Sequence, residues 1–270
     1  MLALSLALTP VFVIILFVYF QDKYSREPTL TLFVAFLLGI VSVIPAIIIE
    51  AVYEYIFHFT TGINNFTSVL YAFIGVGLTE EFCKFIFLRW YIYKNKNFTE
   101  PMDGVVYAVM VSMGFAAIEN IMYVFSSSEP IFTAIIRSVS AIPAHATFGV
   151  FMGLYFGLAR FTFKRKRFRY LLISVILAAG AHGIYNSFLF VECQYCPLIT
   201  LAALIVFIII SLRIISRFKR ISPFKKKFAL LTHRKSAFSE EQRAINEKRK
   251  IELRKKLKNV LRRKNKNPQN

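Results

Sequence analysis

The chain has 270 residues, 56% of them hydrophobic and 16% aromatic, and a formal net charge of +19. That composition leaves too little polar surface to cover a soluble globule, which excludes an ordinary water-soluble enzyme and makes lipid the solvent. The charge is lopsided: from Arg213 onward 21 Lys and Arg stand against four Glu, leaving +2 for everything before.

Apolar runs long enough to cross a hydrocarbon core of roughly 30 Å recur along the sequence. Seven spans are predicted, over residues 3–20, 31–55, 69–90, 104–125, 132–158, 171–190 and 197–215. No basic residue precedes the first run, and Lys23 and Arg26 follow it, so it reads as an uncleaved anchor with its N-terminus outside, not as a secretory signal peptide. Lys and Arg are retained on the cytoplasmic side. They fall in the connections after spans one, three and five (Lys23 and Arg26; Lys94 and Lys96; Arg160, Lys164, Arg165, Lys166, Arg167 and Arg169) and are missing from those after spans two, four and six. The expected fold is therefore an all-α polytopic membrane protein of seven helices, N-terminus outside and C-terminus cytoplasmic.

Residues 1–215 form the predicted transmembrane domain and 216–270 a basic cytoplasmic tail. Ser239 and Gln242 make a capping-box pattern, and Ile245, Leu253, Leu257, Val260 and Leu261 follow at near-helical spacing, which predicts a basic amphipathic helix. Residues 264–270 read as disordered. Directly after a last span, such a tail is expected to lie on anionic lipid, with no nucleic-acid partner. Cys83 falls inside span three as a small apolar thiol. Cys193 and Cys196 share an outer loop that would admit a disulfide, but two cysteines are too few for structural zinc.

Ionisable groups at bilayer depth cost several kcal/mol on insertion scales, so each one needs a reason. Span two ends with Glu50 and Glu54, which read as structural. Span three carries Glu80, Glu81 and Lys84; span four, Glu119; span five, His145; span six, His182. At 1.5 Å per residue, Glu80, His145, His182 and Glu119 lie about 16, 20, 12 and 9 Å below the outer surface. Small residues mark where membrane helices approach closely. Ala141, His145, Gly149, Gly153 and Gly157 form one such stripe, and Gly104, Ala108, Ser112, Ala116 and Asn120 another, with Glu119 beside it. His182 shares a face with Ala178 and Asn186. A lone buried Glu–Lys pair or a lone core histidine is commonly structural; several such groups from four helices at similar depth point to a site.

Four segments carry a resemblance: Glu80-Glu81-Phe82-Cys83-Lys84, Gly114-Phe115-Ala116-Ala117-Ile118-Glu119-Asn120, Pro143-Ala144-His145-Ala146-Thr147-Phe148-Gly149 and Ala181-His182-Gly183-Ile184-Tyr185-Asn186. In order and type they resemble the PrsW family, which is similar to the wider group of CAAX-prenyl and bacteriocin-immunity membrane proteases. The match covers roughly residues 69–190. The prenyl-protease pattern places its basic residue one position after Lys84 and a Phe where this chain has Ala141, so the resemblance is nearer to PrsW. It implies an intramembrane protease of a bacterial inner membrane, cutting single-pass membrane proteins such as anti-sigma factors on the outer side.

Peptide hydrolysis in a membrane needs an activated water, an oxyanion stabiliser and a polar setting. The expected catalytic residues are Glu80, Glu81, His145 and His182, supported by Lys84, Glu119, Asn120 and Asn186. Glu80 with His145 would take a proton from water, Glu81 and Lys84 would orient and balance that base, and His182 and Asn186 would donate to the oxyanion. Glu119 would position a histidine or protonate the leaving amine. No cofactor is expected; the alternative is zinc on Glu80, His145 and His182, although no HExxH pattern is present. Competing functions are a proton- or cation-coupled transporter and a non-catalytic scaffold or immunity factor. No inverted repeat supports the transporter.

Overall fold

The computed structural model describes residues 2–225, whose regular elements are all helices, with no strand among them. The predicted tail helix and the disorder of 264–270 lie outside the described residues. Residues up to Ser222 pack as one unit.

The first helix, α1 (Leu2–Gln21), and the second, α2 (Thr29–Tyr55), follow the first two predicted spans closely. The third departs from a plain α-helix. A short α3 (Asn65–Leu70) runs into a π-helical stretch, Tyr71–Leu78, then into α4 (Thr79–Phe87) and a second π-helical stretch, Leu88–Ile92. The helical path is unbroken, but its hydrogen bonds change step on either side of α4. π turns inside helices are uncommon and gather at functional sites. Here they bracket the turn that carries Glu80, Glu81 and Lys84.

Helix α5 (Pro101–Ser126) starts three residues before its predicted span because Pro101 pre-sets the first helical turn and Glu100 with Asp103 closes a capping box. Predicted span five is two helices, α6 (Pro130–Val139) and α7 (Ala141–Arg160). The break at Ser140 follows from Pro143, which has no N–H for the carbonyl of Val139 and is tolerated only in a first turn. Helix α8 (Lys164–Phe190) takes in the basic residues expected in a connection, since Lys and Arg are good helix formers and nothing stops the helix between them and the apolar run. Helix α9 (Cys196–Ile221) continues past residue 215, and its first residue, Cys196, is disulfide-bonded to Cys193.

Six of these segments are long and apolar enough to cross a membrane, α6 and α7 counting as one. Helix α5 is the axis, buried without interruption from Met102 to Ala117 and packed against α1, α2 and α7. The outer helices turn Leu16, Phe33, Ile48, Leu201 and Ile209 outward. A soluble monomer does not expose apolar surface on that scale, whereas lipid tails solvate it.

The two predicted small-residue stripes meet. A Cβ on Gly153 would strike the backbone of Val105 and Gly104, and one on Gly157 the carbonyl of Pro101. The α5–α7 seam is closed by glycine, and backbones pack where side chains would otherwise stand. Gly77, in the first π-helical stretch, meets the backbone of α8 at Ala179 and Gly183 in the same way, which sets the depth of α4 against His182.

Candidate active site

Glu80, Glu81 and Lys84 stand within one turn of α4 and are 4%, 0% and 1% exposed. Lys84 Nζ is the hub. It lies 3.1 Å from Glu80 Oε2, 2.7 Å from Glu81 Oε1 and 3.2 Å from His145 Nδ1. An ammonium has three protons to donate and accepts nothing, so these three partners use its capacity. The ion pairs offset the cost of burying all three charges. Below the ammonium, the Phe115 ring lies 4.0 Å from Nζ and adds a cation–π contact.

The partners also assign the tautomers. His145 Nδ1 faces a donor and must accept, so the ring proton sits on Nε2, which donates to Glu119 Oε2 at 2.7 Å. Ser112 Oγ donates to the backbone carbonyl of His145 at 2.6 Å, tying α5 to α7 at that level. His182 Nδ1 lies 3.1 Å from Glu81 Oε1 and 3.9 Å from Glu80 Oε2. A carboxylate only accepts, so His182 Nδ1 carries a proton. Phe148 stacks on His182 at 4.6 Å, and the two imidazoles meet edge to face at 5.3 Å. One ligand atom from each of Glu80, Glu81, His145 and His182 lies within 4.8 Å of the others.

Glu119 is held from a second side. Arg137 of α6 places one guanidinium nitrogen 3.1 Å from Glu119 Oε1, donates from Nε to Asn120 Oδ1 at 2.7 Å, and lies 4.0 Å from the Tyr123 ring centre. Asn120 in turn donates to the carbonyl of Ala7 at 2.9 Å, so α1 anchors this arm. Arg137 was missed by sequence reasoning. Its signal was available, an arginine five residues into a predicted span, where charge needs a partner. Glu50 Oε1 is buried without a hydrogen-bond donor, and the residue lies in the field of Glu119 and Lys84, closer to this cluster than its structural reading implied. Asn186 is one turn beyond His182 and 8% exposed; its carboxamide enters none of the bonds that tie the cluster. The side chains of Glu119 and Arg137, each 17% exposed, mark where the cluster reaches the surface.

The chemistry of the donor set suits a divalent metal of the zinc type, since two carboxylates and two imidazoles are ordinary zinc ligands. Glu81 Oε2, buried with no donor, is an oxygen such an ion would satisfy. Lys84 competes for the same place, because its ammonium already bonds three of the four residues.

This charged, interhelical Glu–Lys–His cluster inside an apolar helical bundle is the candidate active site of a membrane-embedded enzyme. Sequence comparison agrees. The profile described as PrsW family intramembrane metalloprotease matches residues 27–213. The chain is 35% identical over 183 residues to Protease PrsW of Geobacillus kaustophilus, covering 68% of this chain and 77% of that one. It is 33% identical to Protease PrsW of Clostridioides difficile, covering 76% and 84%, and 32% identical to that of Bacillus subtilis, covering 69% and 82%. No solved structure matches. The chain belongs to the PrsW family of intramembrane proteases and is a multi-pass membrane protein.

Proposed function

We propose that the chain hydrolyses a peptide bond of a single-pass membrane protein, of the anti-sigma-factor kind, with Glu80 as the base that activates water. The observation carrying this is the unequal commitment of the two adjacent glutamates. Glu81 Oε1 is shared by Lys84 and His182 and its side chain is wholly buried, whereas the Glu80 side chain is 6% exposed and spends Oε2 alone on Lys84. Glu80 Oε1 takes a proton from water as the oxygen attacks the scissile carbonyl. Asn186 and His182, the latter in its doubly protonated form, donate to the oxyanion, where one well-placed donor is worth about 3–4 kcal/mol. Lys84 balances the charge on both glutamates, and the proton on Glu80 passes to the leaving amine. Glu119 holds His145 by Nε2 and is itself held by Arg137.

The polypeptide crosses the bilayer seven times, N-terminus outside, with the α3–α4 path and its π-helical stretches as the third span. Glu119 and Arg137 then open the site toward the outer half, where a locally unwound substrate strand presents its peptide bond. The basic tail lies on anionic lipid at the inner face.

A second reading keeps the same residues. The family description and the donor set support a divalent ion held by Glu80, His145 and His182, with Glu81 alongside. When bound, such an ion lowers the pKa of a water and polarises the carbonyl. Metal analysis of chelator-treated protein alongside cleavage of a single-pass substrate in proteoliposomes separates the two: full activity without metal retains the glutamate mechanism, and activity restored only by added metal replaces it. Substituting Glu80→Gln, Glu81→Gln, His145→Ala and His182→Ala in that assay tests proteolysis itself. Unchanged cleavage in all four overturns it, and loss of ion flux without cleavage supports the transporter.

A further inference from the structure

A second buried cluster lies at the other end of α5. Asp22 follows the last residue of α1, Glu27 lies two residues before α2, and Asp103 sits in the first turn of α5. They are 2%, 4% and 0% exposed, and one carboxylate oxygen from each lies within 4.8 Å of the others. Their hydrogen bonding is incomplete. Asp103 Oδ2 accepts from the Thr99 and Glu100 amides at 2.6 and 2.9 Å, which caps α5. Asp103 also lies within hydrogen-bond reach of the Glu27 carboxyl, and Asp103 Oδ1 and Asp22 Oδ2 are buried with no N–H or hydroxyl donor among the described residues. Glu27 accepts from the Tyr107 hydroxyl, which fixes its orientation.

The negative charge is concentrated. Glu100, 2% exposed, adds a fourth carboxylate to the field on Asp22. Arg26 is the cation that opposes it there, and its guanidinium leans over the rings of Tyr19 and Phe20 at 5.2 and 5.6 Å. Burial, then the charges of Asp103 and Glu100, pushes the Asp22 carboxyl up to about 7; burial, then Asp103, pushes Glu27 up to about 9. Buried carboxylates at this separation need either protons or a cation. All the donors are oxygens, with no thiolate or imidazole among them, the set that hard divalent cations take.

We propose that Asp22, Glu27 and Asp103 bind a hard divalent cation of the Mg2+ or Mn2+ class, which fastens the α1–α2 connection to the start of α5. The site is separate from the Glu80 cluster and does not depend on the proteolytic reading. Bound cation satisfies Asp22 Oδ2 and Asp103 Oδ1 together, and Tyr107 orients Glu27 from behind.

Mn2+ is the probe, followed by electron paramagnetic resonance on chelator-treated full-length protein in detergent. Because the Glu80 cluster offers a second donor set, the reference is the H145A/H182A protein. It is expected to retain one bound Mn2+, displaceable by Mg2+, and to melt at a higher temperature with the ion than without it, as binding to the folded state requires. D22N and E27Q in that background are expected to weaken binding at least about tenfold and to remove the melting shift. E27Q decides the matter if D22N does not fold, since the amide still accepts from Tyr107. No bound Mn2+ in the reference protein at millimolar metal, or binding unaltered by E27Q, overturns the proposal and leaves a proton-sharing carboxyl cluster.

Discussion

Lys84 organises the site at the level of single residues. It uses all three of its protons on Glu80, Glu81 and His145, and by doing so it dictates which nitrogen of His145 is bare. The two glutamates are sequence neighbours, yet Glu81 shares one oxygen between Lys84 and His182 and keeps the other buried, whereas the side chain of Glu80 is 6% exposed and one of its oxygens bonds Lys84 alone. Glu80→Gln is accordingly expected to lower kcat by about a thousandfold, within the range for loss of a general base, with little change in KM. In the proposed mechanism Arg137 acts through Glu119, as a positioning residue. Arg137→Gln is expected to cost up to about a hundredfold in kcat through misplacement of His145, with Arg137→Lys recovering part of it. Steady-state kinetics on the same single-pass substrate measures both, and an Arg137→Gln protein with unaltered kcat would show that the arm is only structural.

Individual elements differ in how far their own sequences specify them. The α5–α7 seam is specified at every fourth residue: Gly149, Gly153 and Gly157 face Ala108, Val105 and Pro101. Gly153→Val is expected to destabilise the protein by about 1–3 kcal/mol or more, because the added carbons meet backbone that cannot yield, and a thermal melt in detergent reads the loss. The α6–α7 break is likewise local, resting on one proline ring. The π-helical stretches around α4 are not local. Nothing in Tyr71–Leu78 encodes an i→i+5 bond, and the step change is set where Gly77 meets α8.

The unit up to Ser222 is a bundle with α5 at its centre and buried charge at both ends of that helix. Its orientation is testable as a unit. Reporter fusions after Asn95 and after Phe163 are expected to report the cytoplasm, and one after Ser127 the outside; the reverse pattern would place the Glu119–Arg137 opening on the inner face and redirect the search for substrates.

Membrane embedding and the all-helical fold were written in the sequence, because lipid imposes a length and an apolarity on every span and penalises each buried charge; of the seven spans expected, six are long and apolar enough among the described residues, and the third is a helix interrupted by π-helical stretches. Glu80, Glu81, Lys84, Glu119, His145 and His182 stood out for that reason, and the small-residue stripes told which faces would meet. Arg137 escaped because it sat inside an apolar run and its partner Glu119 came from another helix. Tertiary structure alone decided the unequal bonding of Glu80 and Glu81, the tautomer of His145 and the closeness of Asp22, Glu27 and Asp103. Each depends on angstrom-scale contacts between helices far apart in the chain, which periodicity and composition do not record.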